Sequence, residues 1–215
     1  MDKYKETLQT WNKVASLYQD KFMDLDLYDD TYDLFIENVS LKHSKLLEIG
    51  CGPGNITKYL LGKRNDFNIT GIDIAPNMIE LAKVNNPNAN FKVWDSRCIE
   101  ELDMQFNGII AGFCMPYLSQ ADCSKLITDC NHLLLNSGLL YLSFVEGDYS
   151  ASGYQVGSSG DRVFFYFHDI MNLKKELDQN DFDIIELIHK TFNRSDQSEE
   201  IHTILIARKR IQNVK

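Results

Sequence analysis

The stretch that decides the fold reads Leu46-Leu47-Glu48-Ile49-Gly50-Cys51-Gly52-Pro53-Gly54. An apolar run of strand character enters three glycines at alternate positions, and a segment with helical spacing follows near Asn55–Gly62. Glycine lets a backbone turn through conformations closed to other residues and lets a ligand approach the main chain. The helix behind it adds unpaired N–H groups and the positive end of a dipole. At the carboxyl end of a first strand, such a loop is where open α/β sheets hold nucleotides. Alone, the motif is equally compatible with a plain turn.

Two acids sharpen the reading. Asp73 ends a second strand, Phe67–Asp73, 23 residues after Gly50. A carboxylate there can accept both hydroxyl protons of an unphosphorylated ribose, or it can cap the helix that begins near Pro76. Asp95 ends a third strand, Asn90–Trp94, where an acceptor could receive the amino group of an adenine. The dinucleotide fingerprint needs glycine at the first, third and sixth loop positions. Counted from Gly50 the sixth is Asn55, and the third glycine is Gly54 instead. No Gly-Lys-Ser/Thr follows, so a phosphate-binding P-loop is excluded. Glu48 would repel a pyrophosphate but suits a zwitterionic amino acid. The expected ligand has ribose and adenine and needs no phosphate.

Outward from the loop, further strands are predicted at Asn107–Phe113 and Gly138–Val145, with helices at Pro76–Asn85 and Ser119–Leu135. Pro76 suits a first helical position, and Ser119 with Asp122 reads as a capping box. Strand–helix alternation implies a mostly parallel sheet with helices on both faces. Toward the N-terminus, Tyr4, Leu8, Trp11, Ala15, Tyr18 and Phe22 draw one stripe along a single helix, and a short helix follows at Asp30–Val39. Toward the C-terminus, Gly147–Asp161 reads as a long surface loop, then a helix near Asp169–Gln179 and two strands, Phe182–Phe192 and Ile201–Arg208, close enough to form an antiparallel hairpin. The expected fold is α/β, Rossmann-like, with a seven-stranded mostly parallel sheet and an antiparallel C-terminal hairpin. It is read as one domain over residues 1–215, with a helical lid at 1–40, a cofactor-binding core at 41–146, and a loop insertion, helix and hairpin at 147–215.

The 215 residues are 44% hydrophobic and 25% charged, with a formal net charge of −9. That composition excludes disorder and coiled coil, and the acidic balance argues against nucleic-acid partners. No apolar run is long enough to cross a bilayer, and the first residues carry no signal core. Five cysteines without zinc-ligand spacing point to reduced thiols, with Cys130 in an apolar stripe. A cytoplasmic protein without a metal site is expected, acting as a monomer or homodimer and binding neither membrane nor nucleic acid.

The run Glu48-x-Gly50-x-Gly52-x-Gly54, followed by Asp73 and Asp95, resembles the class I S-adenosylmethionine-dependent methyltransferases of small-molecule type. Gly71-Ile72-Asp73-Ile74-Ala75-Pro76-Asn77-Met78 is similar to the family's second motif. The resemblance is strong over residues 45–145 and weaker to 209. It implies that Gly50, Cys51 and Gly52 surround the methionine portion of the cofactor and that Asp73 holds the ribose. It further implies that Ile74 and Met78 pack on adenine, that Asp95 and Ser96 meet its edge, and that Gly112 and Phe113 lie beside the methionine amino group. Tyr18 would approach the sulfonium from the lid, unless its helix merely packs on the sheet. Where nucleic-acid amino-methyltransferases carry Asp/Asn-Pro-Pro-Tyr, this chain has Cys114-Met115-Pro116-Tyr117, which argues against a base as acceptor. The implied activity is methyl transfer from S-adenosylmethionine to a small molecule, with S-adenosylhomocysteine as product. A non-catalytic cofactor-binding protein and a nicotinamide-dependent enzyme remain as alternatives. No catalytic residue is assigned; His132 and His168 are base candidates by residue type, and Tyr117, Tyr149 and Tyr154 are candidates for lining a pocket.

Overall fold

The computed structural model describes residues 2–157, 159–194 and 197–211. Met1 and Ser158 of the expected lid and loop, residues 195 and 196 of the link between the last two strands, and residues 212–215 lie outside the described residues. The strands are Lys45–Ile49 (β1), Asn68–Asp73 (β2), Asn90–Val93 (β3), Phe106–Ala111 (β4), Leu134–Val145 (β5), Gly153–Val156 (β6), Arg162–Phe165 (β7), Phe182–Asn193 (β8) and Glu199–Lys209 (β9). The helices are Lys3–Lys13 (α1), Ala15–Phe22 (α2), Asp29–Asn38 (α3), Asn55–Lys63 (α4), Pro76–Asn85 (α5), Gln120–Leu133 (α6) and Ile170–Gln179 (α7).

Seven strands form one sheet in the order β3-β2-β1-β4-β5-β9-β8. Strands β1 to β5 pair in parallel, β9 runs antiparallel to β5, and β8 runs antiparallel to β9. A sheet covered on both faces needs near-continuous apolar strands. Period-2 alternation then divides each strand between two cores. Leu46, Ile110, Tyr141 and Ile204 face α3 and α4, whereas Leu47, Ile109, Leu142 and Leu205 face α6 and α7. Glu48 is the polar exception on β1. The order reverses between β2-β1 and β4-β5, and such a switch point leaves a crevice at the strands' carboxyl ends.

The expected caps are present. Ser119 and Asp122 form a reciprocal capping box, and Pro76 opens α5. Two expectations are corrected. The single N-terminal helix is two helices broken at Val14. Asn12 is turned toward α5, where its backbone carbonyl accepts a bond from the Asn77 side chain and its side chain one from the Asn77 N–H, each 2.8 Å. A carbonyl engaged outside the helix weakens the ladder there. The expected loop Gly147–Asp161 contains β6, which pairs antiparallel with β7 as a separate two-stranded sheet. Its strand is short, flanked by Gly and Ser, and pairs with the aromatic run that follows it, so composition concealed it.

The hairpin β6–β7 packs on α1. Thr7 receives the Phe164 N–H at 2.9 Å, Thr10 donates to the Arg162 carbonyl at 2.8 Å, and Arg162 pairs with Glu6. Together with the Asn12–Asn77 contacts, these bonds tie the N-terminal helices across the switch-point crevice.

Candidate active site

A cleft opens at the carboxyl ends of β1, β2 and β4. Nine sequence-nominated residues line it: Tyr18, Gly50, Gly52, Asp73, Ile74, Met78, Ser96, Gly112 and Phe113. The loop after β1 supplies its floor. Gly50, Gly52 and Gly54 have φ of +69°, +51° and +83°, the left-handed region that favours glycine. The N–H groups of Gly50 and Cys51 both donate to the Ile72 carbonyl, at 2.8 and 2.9 Å. A Cβ on Gly54 would sit 2.4 Å from Asn86 Nδ2, whereas one on Gly52 would meet only the Tyr18 ring at 3.7 Å. The middle glycine is therefore the one with open space for a ligand. From the end of α5, Asn85 and Asn86 donate to the carbonyls of Pro53 and Gly54 at 2.8 and 2.9 Å. These two pinning amides lay in a polar run without a motif and were not anticipated.

Asp73 ends β2 with its carboxylate bonded to backbone before and after it in the chain. Oδ2 accepts the Gly52 N–H at 3.0 Å and Oδ1 accepts the Ala75 N–H at 2.8 Å, so the carboxylate clamps the glycine loop to the entrance of α5. Each oxygen keeps a second lone pair directed to other donors. Burial raises its pKa, against the pull of those backbone bonds.

Three nominated residues do not line this cleft. Glu48 is fully buried and faces a second chamber described below. Its Oε2 accepts from the Thr57 hydroxyl, while Oε1 has no partner. Burial pushes its pKa up to about 8. The Cys51 side chain points away, into a core formed with Ile79, Ala82 and Phe91. The thiol beside the cleft is that of Cys114, whose Cβ packs against Gly50 and whose pKa burial pushes up to about 12. Asp95 caps the turn after β3, and its carboxylate is taken up by Arg97 at 2.7 Å and by the Tyr4 hydroxyl at 3.1 Å. Burial works to raise its pKa, but the Arg97 bonds outweigh it and hold the group below the ordinary value. Arg97 lies 3.5 Å over the Tyr4 ring, so Asp95 fixes Tyr4, which does line the cleft.

The cleft shares Trp11, Tyr18, Gly50, Gly112, Phe113 and Tyr117 with a second, deeper chamber of about 170 Å³. Trp11 packs edge-on to Tyr18 at 5.5 Å and to Tyr117 at 5.2 Å, forming the partition from the lid side. Phe113 forms it from the sheet side with φ of +54°, a costly conformation for an aromatic residue. Its N–H is held by Ser143 Oγ at 2.8 Å. Tyr28, Phe192, Glu200 and His202 line the far wall. Sequence reasoning missed all four, since they lie on segments distant in the chain and carry no motif.

The histidines it did name lie elsewhere. His132 lines a surface hollow near α7. His168 is buried with Nε2 2.9 Å from the Met115 carbonyl, and burial lowers its pKa. Neither lines the cleft or the chamber, so both are corrected as base candidates. Tyr117 borders both spaces, but Tyr149 stacks on Tyr166 and Tyr154 bonds to Glu6, outside them. Cys130 is in the core as expected. Among the described residues no three His, Cys, Asp or Glu side chains are grouped to hold a metal ion, and no helix is long and apolar enough to cross a membrane.

Comparison with known proteins gives a likeness over the core of the chain. Residues 46–138 match the methyltransferase domain family. Over those residues the chain is similar to methyltransferase domains. A protein of Invertebrate iridescent virus 6 is 29% identical over 119 residues, covering 55% of this chain and 43% of its own length. Ubiquinone biosynthesis O-methyltransferase of Xylella fastidiosa is 28% identical over 120 residues, covering 53% of this chain and 47% of its own. The chain thus spans somewhat under half the length of these curated relatives. Among solved structures, magnesium protoporphyrin IX methyltransferase from Synechocystis, with S-adenosylmethionine bound, superposes with a TM-score of 0.71 at 16% identity, covering 97% of this chain and 98% of that one. That likeness establishes the shared fold.

Proposed function

We propose that the protein transfers a methyl group from S-adenosylmethionine to a small organic acceptor. The observation that carries this reading is Glu48: a buried carboxylate oxygen without a partner, beside a glycine loop whose middle glycine is open. An ammonium group would satisfy that oxygen and favour its ionised form. The cofactor fits the rest of the donor set. Asp73 receives the ribose hydroxyls on its remaining lone pairs, Ile74 and Met78 flank the adenine, and Ser96 meets its edge. Asp95 acts one step back, fixing Tyr4 over that end. Cys51 contributes backbone, and Gly112 and Phe113 border the methionine end.

When bound, S-adenosylmethionine supplies a methyl group already activated by its sulfonium. The chain's task is to align a nucleophile and exclude water, and such positioning alone can be worth about 7–11 kcal/mol. Trp11, Tyr18 and Tyr117 stand at the partition between the two spaces, where rings favour a cationic sulfur. On this reading α1 and α2 form a lid, and residues 1–215 act as one domain whose acceptor is neither nucleic acid nor membrane. The relatives named for quinone and porphyrin intermediates agree with a small organic acceptor. The net charge of −9 and the thiols free of disulfides agree with a cytoplasmic location and a monomer or homodimer.

Calorimetric titration with S-adenosylmethionine, S-adenosylhomocysteine and NAD tests the cofactor, and transfer of labelled methyl to a metabolite extract tests the activity. Binding of both adenosyl compounds with labelled product is expected. NAD binding with both adenosyl compounds ignored would overturn the reading, and cofactor binding without transfer would leave a sensor.

A further inference from the structure

The deeper chamber holds three ionisable side chains that cofactor binding does not use. Tyr28 Oη lies 2.6 Å from His202 Nδ1, and His202 Nε2 lies 3.5 Å from Glu200 Oε2. All three line the chamber. The His202 ring is fixed between aromatic neighbours, stacked on Phe192 at 4.9 Å and tilted against Phe113 at 4.8 Å. Arg194 holds the other Glu200 oxygen at 2.5 Å. The tautomer that satisfies both histidine contacts carries its proton on Nε2, facing Glu200, and accepts the Tyr28 proton on Nδ1. The Tyr28 oxygen then keeps its lone pairs for a donor in the chamber.

The wall itself selects shape and charge. Tyr18, Trp11, Phe113, Tyr117, Phe165 and Phe192 present ring surfaces, which suit a flat aromatic guest. Among the described residues no lysine or arginine lines the chamber, while two carboxylates do, Glu48 and Glu200. A carboxylate acceptor would find no counter-charge among the side chains there. A neutral molecule that ionises only in place needs none to enter.

We propose that the acceptor is a flat aromatic molecule with an ionisable O–H or N–H, a phenol or N–H heteroaromatic, whose proton Tyr28, His202 and Glu200 remove. The proposal rests on the methyltransferase reading above. The acceptor's proton passes to Tyr28 Oη as the proton of Tyr28 passes to His202 Nδ1, and the imidazolium so formed faces Glu200. The acceptor's lone pair forms the bond to the methyl carbon, and the sulfur keeps the electron pair of the broken carbon–sulfur bond. Tyr28 is the catalytic residue of the three, while His202 and Glu200 position it and hold the charge. The charged groups around His202 are Glu200 and Arg194 on its own hairpin, Lys190 opposite it on β8 and paired with Asp30, and Glu146, which accepts from Thr203 beyond β5. None of these supplies a cation to the chamber.

The test uses 4-nitrophenol, whose phenolate absorbs where the neutral form does not, added to the protein loaded with S-adenosylhomocysteine at a pH below the probe's own pKa. The wild-type protein is expected to bind the probe and show the phenolate band. Tyr28→Phe is expected to lose the band and bind about tenfold more weakly or worse, the loss of a single strong hydrogen bond. Glu200→Gln should keep binding but raise the pH at which the band appears, a change that loss of packing alone would not give. Unchanged S-adenosylhomocysteine affinity certifies that each variant is folded, and if Tyr28→Phe fails that check, Glu200→Gln carries the test. A wild-type protein that takes up S-adenosylhomocysteine but not the probe, or variants whose band is unchanged, would overturn the inference. Failure to bind S-adenosylhomocysteine at all would instead overturn the methyltransferase reading and this proposal with it.

Discussion

The cofactor cleft and the chamber behind it share a wall but are built in opposite ways. The cleft takes its floor from Gly50 and Gly52 of the glycine loop, and Asp73 and Ser96 stand at or just past strand ends that follow in chain order. Each position there is dictated by backbone geometry, so few residue types will serve. Beyond the wall it shares with the cleft, the chamber draws on side chains from α2, the segment before α3, β8 and β9, which no local rule binds. The lesson is that a site made by main chain constrains its sequence, whereas a site made by side chains on rigid elements is free to vary.

The contrast can be broken first at the glycine loop. Gly54→Ala places a Cβ 2.4 Å from Asn86 Nδ2 at φ of +83°. Left-handed strain and overpacking each cost roughly 1–3 kcal/mol, so about 2–4 kcal/mol of stability should be lost in urea unfolding. A loss below about 1 kcal/mol would show that the loop is not backbone-constrained. Asp73→Ala comes next. On the proposed placement it removes two ribose bonds worth roughly 1.5–3 kcal/mol each to a charged group, and affinity for S-adenosylhomocysteine should fall at least tenfold. Because Asp73 also holds the Gly52 and Ala75 N–H groups, the melting temperature should fall too, with Asp73→Asn between the two. Unchanged affinity would make it a structural clamp only.

The smallest effect is expected at the lid. Arg162→Ala removes the pairing with Glu6 where the hairpin meets α1. The pair is partly exposed, so it contributes at most about 1 kcal/mol, and cofactor affinity should drop less than about fivefold. A loss as large as that of Asp73→Ala would mean that lid closure, and not the loop, dominates cofactor binding.

How far each region was legible follows from the same difference. The mostly parallel sheet, the glycine loop and the strand-end place of Asp73 were readable because alternation, positive φ and strand-end acids leave marks in adjacent residues. The pairing of Asp95 was not read in the sequence because Tyr4, which donates to it and carries Arg97 stacked on its ring, is far away in the chain. Cys51 was grouped with its glycines although a strand-end side chain there turns into the core. The Tyr28–His202 contact joins residues 174 positions apart, and no periodicity could announce it. The hairpin β6–β7 was hidden by glycine and serine around a four-residue strand whose stability comes from α1.

Glu48 lies on β1 just before the glycine loop and faces the chamber, and its titration is the most direct measure of the account. In the free protein burial sets its pKa near 8, against the ordinary 4.5, so the folded state holds a proton that the unfolded state has released between those values. Stability of the free protein should therefore fall as pH rises from about 5 to about 8, and Glu48→Gln should flatten that slope. The α-ammonium of S-adenosylhomocysteine should reverse the preference and drive the proton off. Calorimetric titration at pH 6.5 in two buffers of different ionisation enthalpy should then show release of up to about one proton on binding, with affinity rising toward pH 8. Both effects should vanish in Glu48→Gln. Tight binding with no proton released, and a pH profile shared by the wild type and Glu48→Gln, would contradict the placement of the cofactor's amino group against Glu48.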